Sequence, residues 1–214
     1  MTPEFANAVD PVFEYVLELL DRIEGGHEAS AEQEHQRILR ILDRAEAELG
    51  AGNENWKSAK FALACWVDEL LSAHVWQGAD YWANNPVERV LFGTADRALL
   101  FYTWAKKAAT ERQRDALEVY FVCVILGFRG LYEIPEVAAG LVDKFELSAT
   151  LNVWLSQTGS ALQLRRGVPP IIPSGKIPPG APELRGHALL MAALLAVIAA
   201  GALAGLAWAL HQPG

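Results

Sequence analysis

Two cysteines, Cys65 and Cys123, are all that the 214 residues contain. Neither lies in a C-x-x-C or a Cys/His ligand spacing, so a disulfide framework and a structural zinc site are excluded and a reducing compartment is expected. The signatures of nucleotide binding and hydrolysis are missing too: there is no G-x-x-x-x-G-K-[ST], no G-x-G-x-x-G, no H-E-x-x-H and no G-x-S-x-G. The five histidines, at 27, 35, 74, 187 and 211, do not cluster at ligand spacing. Cys65 and His74 are nine residues apart, more than two helical turns, which separates them as nucleophile and base. No catalytic residue, metal, cofactor or small-molecule substrate is therefore expected. Basic residues are scarce as well. Residues 1–164 hold 25 Asp/Glu against 14 Lys/Arg, a net charge of −11, and an acidic body argues against nucleic acid as partner. The first ten residues contain Glu4 and Asp10 and no basic stretch, unlike a signal peptide.

Strand-like alternation is also missing, and what fills the chain is helical periodicity. Asp10 as N-cap and Pro11 at the first helical position predict a helix carrying Val12, Val16, Leu19, Leu20 and Ile23 and ending at Gly25-Gly26. Ser30 with Gln33 reads as a capping box for a second helix, closed by Gly50. A third helix, about Asn55 to Val75, is apolar on two sides and is expected to lie between neighbours. An aromatic loop, residues 74–85, precedes a brief helix from Pro86. Thr94 and Thr110 are the expected caps of a fourth and a fifth helix, the latter stopping at Gly127-Phe128-Arg129-Gly130. Two further helical segments follow, from Pro135 and from Ser148.

Asp68 and Glu69, adjacent inside the third helix, are the oddity of the body. Burying either unpaired costs several kcal/mol, so each needs a partner or water. Three roles fit. A catalytic acid pair is disfavoured, since neighbouring helix positions point about 100° apart. A structural role turns Asp68 inward, to pair with Arg129 or to cap a nearby loop. A third role exposes the acids in a groove read by a basic partner. Asp68 reads as the more structural of the two and Glu69 as the more available. On that reading Glu69→Lys spares the fold, whereas Asp68→Ala and Arg129→Ala lower stability.

Charge then disappears altogether. Residues 188–210 run 23 positions without a charged side chain, about 35 Å as a helix and enough for a hydrocarbon core of about 30 Å. A fully buried core helix would also be apolar all round, but a linker, residues 166–187, separates this stretch from the body at 1–165. Six of the eleven prolines fall in residues 168–182, a semi-rigid spacer reaching at most roughly 45 Å. Arg165, Arg166, Lys176 and Arg185 precede the apolar stretch and only residues 211–214 follow it. Excess Lys/Arg marks the cytoplasmic side, so a tail-anchored topology is expected, with the body in the cytoplasm and the last residues across the membrane. Gly201 and Gly205 form a G-x-x-x-G that suits helix pairing, including a homodimer, although an Ala-rich span yields the pattern by chance as well.

Three motifs, in order, carry a likeness to a known family: the segment from Phe61 to Leu71 containing Trp66, Asp68 and Glu69; Trp76 and Trp82 before Leu91-Phe92-Gly93-Thr94; and the segment from Leu117 to Tyr132 with its L-G-F-R-G-x-Y close. They resemble the DotU/IcmH/TssL family, inner-membrane subunits of type VI secretion systems and of the related Dot/Icm type IV systems. That resemblance implies an all-α, hook-like cytoplasmic domain of two small helical bundles with one C-terminal transmembrane helix. It implies a non-enzymatic subunit that pairs with a TssM/IcmF-type inner-membrane protein and recruits the baseplate through a TssK-type subunit; the alternative is a stabilising partner in a Dot/Icm type IV system. It also places the family's D-E pair on Asp68 and Glu69 as partner-binding residues, and gives Gly127, Phe128, Arg129, Gly130 and Tyr132 an architectural role. The OmpA-like peptidoglycan-binding domain of longer relatives is not found in this sequence, so wall attachment is expected from another subunit.

Overall fold

The computed structural model describes residues 1–166, and among them there are helices and connecting loops but no strand. Helix α1, Pro3–Glu24, buries Phe5, Val9, Val12, Val16, Leu19 and Ile23 along one face. It starts a full two turns before the expected Asp10–Pro11 boundary, capped instead by Thr2, whose hydroxyl accepts from the Phe5 N–H at 3.4 Å. Pro11 lies inside the helix. A proline there costs about 3 kcal/mol. Each large apolar side chain buried upstream returns about 1.5–3 kcal/mol, so Phe5 and Val9 together outweigh it.

Helix α2, Ala31–Leu49, lies against α1 and buries Ile38, Leu42 and Ala45. Ser30 occupies its N-cap position but makes no side-chain cap bond, so the expected capping box does not form. A part-buried polar contact joins the pair: Glu34 of α2 accepts from the Tyr15 hydroxyl and pairs with the exposed Arg22 at 3.2 Å.

Helix α3, Glu54–Ala73, is the axis. Asn53 caps it, accepting from the Asn55 and Trp56 N–H groups at 3.0 and 3.1 Å. Trp56, Phe61, Leu63, Cys65, Trp66, Val67 and Leu71 are all buried, so apolar residues cover more than one face, as the sequence reading required. Its neighbours are α1 and α2, the short helices α4, Ala79–Asn84, and α5, Val87–Phe92, and the longer α6, Arg97–Thr110, and α7, Arg114–Ile125. The segment expected as an irregular aromatic loop thus contains α4, which drives Trp82 into the core. Helix α3 ends at Ala73, leaving Val75 fully exposed.

Two expected caps are displaced. Helix α6 begins at Arg97 rather than beside Thr94, because the Thr94 hydroxyl donates to Glu88 at 2.6 Å instead. Thr110 is the last residue of α6, and α7 starts at Arg114. A 3₁₀ turn, Gly130–Glu133, leads into α8, Pro135–Val142, and then α9, Leu151–Arg166. Residues 167–214, which hold the linker, the expected membrane helix, Gly201 and Gly205, lie outside the described residues. Among the described residues no helix is long and apolar enough to cross a membrane.

Phe101 of α6 stacks on Phe128 with ring centroids 3.9 Å apart and meets Tyr120 edge-on at 4.8 Å. Both phenylalanines are fully buried. Phe128→Ala removes the ring that seats the turn after α7 and is expected to lower unfolding free energy by about 3–5 kcal/mol, read as a reduced urea midpoint of the detergent-solubilised full chain.

Candidate partner-binding groove

Asp68 is 1% exposed and has three donors. Its Oδ1 accepts from the Val87 N–H at 2.7 Å and from the Trp82 indole N–H at 3.0 Å, and its Oδ2 accepts from the Glu88 N–H at 2.8 Å. Val87 and Glu88 open α5, whose own N-cap is Pro86, a residue with no side-chain acceptor. Asp68 therefore caps α5 from another helix, satisfying amides that the local sequence leaves unpaired. Of the structural alternatives, the loop cap is the one realised; the pairing with Arg129 is not. The assignment of Asp68 as a partner-binding residue is corrected by the same geometry, since a buried carboxylate occupied on both oxygens presents nothing to a partner.

Glu69 faces the other way and is half-buried. Its Oε1 accepts from the Arg129 N–H at 2.5 Å and the Gly130 N–H at 3.1 Å, and Oε2 accepts from Gly130 at 3.0 Å. The turn it holds needs Gly130: φ is +50°, and a Cβ there would sit 2.7 Å from the Phe128 ring. Around it, the Trp66 indole donates to Leu126 O at 3.3 Å, the Tyr102 hydroxyl to Arg129 O at 2.9 Å, and the Tyr132 hydroxyl to Ser148 O at 2.5 Å. The Arg129 guanidinium turns back on its own segment, donating to Val124 O and Phe128 O, both at 3.0 Å. Arg129 thus meets the acid pair through its main chain and through Glu69. Glu69→Lys is therefore expected to lower stability, where the sequence reading expected it to spare the fold.

Burial pushes both acids upward. Asp68 rises to about 6, with the Glu88 and Val87 amides, the Arg97 charge and the Trp82 indole opposing the shift. Glu69 is raised for the same reason, its burial opposed first by the Arg129 and Gly130 amides. Both cysteines are fully buried, and desolvation holds their thiols well above the ordinary range, which disfavours the nucleophilic thiolate.

The end of α3, the start of α6 and the turn after α7 enclose a groove of about 540 Å³. Glu69, His74, Asp96, Arg97, Arg129 and Glu133 supply its charged and titratable lining. Arg97 donates to the Ser72 hydroxyl at 3.3 Å. His74 carries its proton on Nδ1, 2.8 Å from Leu70 O, and turns Nε2 toward Glu24 at 3.5 Å. Three residues that sequence reasoning left without a role are decisive here. Trp82 was read as a loop aromatic and as part of the second motif, with no contact assigned to it, yet it is a donor to Asp68. Glu88, fully buried, accepts from Thr94 and from the Asp96 N–H at 3.0 Å and so fixes the start of α6. Arg97 reaches the groove because α6 starts two residues later than a Thr94 cap would place it. The available signal was Pro86, a helix-opening residue that cannot cap. Among the described residues no three His, Cys, Asp or Glu side chains are placed to hold a metal ion.

Asp68→Asn keeps a carbonyl for Val87 and Trp82 but sets an amide N–H against the Glu88 N–H, and is expected to cost about 1–3 kcal/mol at neutral pH. Because the folded-state pKa of Asp68 lies above its ordinary value, its titration contributes stability that is full below about pH 4 and is lost as the pH rises through about 6. Urea midpoints measured at pH 7 and pH 5 for both chains should therefore show wild type gaining more on acidification than Asp68→Asn. Equal changes would mean that Asp68 has an ordinary pKa.

Comparison with known proteins gives two matches. A family model described as "Type VI secretion system protein DotU" matches residues 4–211. Among solved structures, the chain is similar to the cytoplasmic domain of TssL from Acinetobacter baumannii, with 19% sequence identity and a TM-score of 0.61, over 75% of this chain and 97% of that one. At that identity the structural likeness speaks for the fold. No curated protein matches the chain.

Proposed function

Because the chain belongs to the DotU family of type VI secretion system proteins, we propose that it is a non-enzymatic, tail-anchored adaptor whose helical domain faces the cytoplasm and recruits the baseplate of the secretion machine. As a subunit of the membrane complex it works beside other membrane proteins. In this reading a TssM/IcmF-type subunit is its inner-membrane partner, a TssK-type subunit is the baseplate component it receives, and residues 188–210 are the single span that tethers it. The type VI description of the matched family favours this role over the Dot/Icm type IV alternative.

The observation that carries the reading is the groove at the end of α3. It is open and bordered by charged side chains, and it is framed by two of the three sequence motifs that carry the family likeness, the segment around Asp68 and Glu69 and the segment from Leu126 to Tyr132. Its framing hydrogen bonds run between main-chain amides and side chains fixed in the core, so the concavity is preformed. A preformed concavity with buried supports suits docking of a protein segment. Its histidine and its serine are not paired as base and nucleophile: His74 Nδ1 lies 2.8 Å from Leu70 O, and the Ser72 hydroxyl donates to Asp68 O and accepts from Arg97.

The test is affinity purification of the tagged full-length chain from detergent-solubilised native membranes, for wild type and for Ala98→Arg. Ala98 is exposed, lies in the first turn of α6 and lines the groove, so a long side chain there fills the concavity without touching the core. Wild type should bring down a large TssM-like membrane protein and a TssK-like baseplate protein, and Ala98→Arg should keep the first and lose the second. Retention of both by the variant would remove the groove from the reading. Recovery of neither by wild type, from cells expressing the system, would overturn the adaptor role.

A further inference from the structure

The two buried acids each hold a different segment, and each of those segments carries an exposed acid into the groove. Asp68 binds the amides of Val87 and Glu88, and Glu88 in turn binds the Thr94 hydroxyl and the Asp96 amide. Asp96 is exposed at the start of α6. Glu69 binds the amides of Arg129 and Gly130, the first residues of the 3₁₀ turn that ends on Glu133. Glu133 is exposed as well. Both Asp96 and Glu133 line the groove, and neither carboxylate has a hydrogen-bond or ion-pair partner among the described residues.

The other charged groups of the groove have hydrogen-bond partners within the fold, and the two guanidinium charges, bonded to a hydroxyl and to carbonyls, stay in the lining without a carboxylate partner among the described residues. Glu69 has both oxygens on backbone amides, Arg97 donates to Ser72, Arg129 donates to two carbonyls of its own segment, and His74 is anchored on Leu70 O. What a docking segment meets unspent is therefore a pair of carboxylates on two separately fixed supports. We propose that Asp96 and Glu133 are the recognition residues of the groove, reading a lysine- or arginine-bearing segment of the partner protein, and that Asp68 and Glu69 are positioning residues, each setting the segment that presents one of them. This rests on the reading of the groove as the partner's seat.

Two physical arguments favour a basic segment as occupant. The main chain that carries each carboxylate is already fixed, so the backbone loses little entropy when a cation arrives, and the concavity removes part of the water that screens an open surface pair. Three carboxylates, Glu69, Asp96 and Glu133, against the two guanidiniums of Arg97 and Arg129 leave the lining net negative, and Glu133 is close enough to Glu69 to contribute to its upward pKa shift while Arg97 opposes it. A partner presenting acid here would meet like charge, which penalises wrong docking.

The proposal is tested with the full-length chain in detergent and the purified partner that wild type recovers from native membranes, by measuring affinity at low and high salt and thermal unfolding of every variant. The double variant Asp96→Lys/Glu133→Lys should bind at least tenfold more weakly, lose the salt dependence that wild type shows, and unfold at the wild-type temperature. Asp96→Glu/Glu133→Asp, which keeps both charges, should retain binding. Glu69→Gln should lose both stability and affinity, because its amide N–H faces the Arg129 and Gly130 donors, whereas a residue read directly by the partner would lose affinity alone. If the lysine variant binds as wild type does while Ala98→Arg does not, the groove stands and the assignment of Asp96 and Glu133 falls. If neither alters binding, the groove itself is not the seat. Should the lysine variant unfold early, Asp96→Asn/Glu133→Gln serves in its place and must weaken binding in the same direction.

Discussion

Two carboxylates on consecutive residues of α3 satisfy the backbone amides of two segments far away in sequence. Asp68 reaches Val87 and Glu88, about twenty residues on, and Glu69 reaches Arg129 and Gly130, about sixty residues on. Adjacent helix positions diverge by about 100°, and that divergence is why the pair can serve two loops on two sides of one helix. An amide left unpaired in the interior costs about 1–3 kcal/mol. The acids supply acceptors where α5 opens on a proline and where the turn after α7 opens on glycines, places with no local acceptor of their own. Their raised pKa values are the counterpart of this duty, since both carboxylates leave bulk water to reach the amides.

Packing behind the acids keeps these bonds in register. Trp82 is fully buried, with His35 of α2 edge-on to its ring at 5.2 Å, so α2 presses the indole against Asp68 from behind. Burial lowers the pKa of His35 and keeps the imidazole neutral in that aromatic setting. On the far side, Phe101, Tyr120 and Phe128 form the aromatic wedge under the turn held by Glu69. The Tyr120 hydroxyl is satisfied by Ser58 O at 3.0 Å, so the wedge contains no unpaired phenol there. Each loop that borders the groove therefore has a core side chain below it and a carboxylate beside it. A docking surface built this way is rigid where its supports are buried and open only where the partner arrives.

This arrangement changes how paired acids inside a helix are to be interpreted. A motif containing two adjacent acids suggests a shared surface, and the sequence reading made Glu69 the more available of the two. Its carboxylate proves to be occupied by main-chain donors. In the proposed reading, recognition and architecture are separate functions of separate residues: the acids on α3 shape the loops, and the exposed acids on those loops are the ones offered to a partner. The membrane-complex role of the family fits a subunit of this design, because an adaptor needs a stable seat more than a moving part.

The sequence by itself determined the helical class, the central position of α3, the glycine-dependent turn after α7, and the separation of an acidic body from a proline-rich stretch and a charge-free tail. These are periodicity and composition, properties that a linear pattern carries because apolar side chains must find a common face and glycine alone adopts certain dihedrals cheaply. Helix starts were less legible. Pro11, Thr94 and Thr110 all look like local start signals, and each was overridden by a contact from elsewhere: apolar burial upstream of Pro11, the Glu88 carboxylate on Thr94, and the continuation of α6 through Thr110. Only the tertiary structure decided what Asp68 and Glu69 do. Their partners are backbone amides, and every non-proline residue has one, so no side-chain pattern in the sequence marks which amides a distant carboxylate will find.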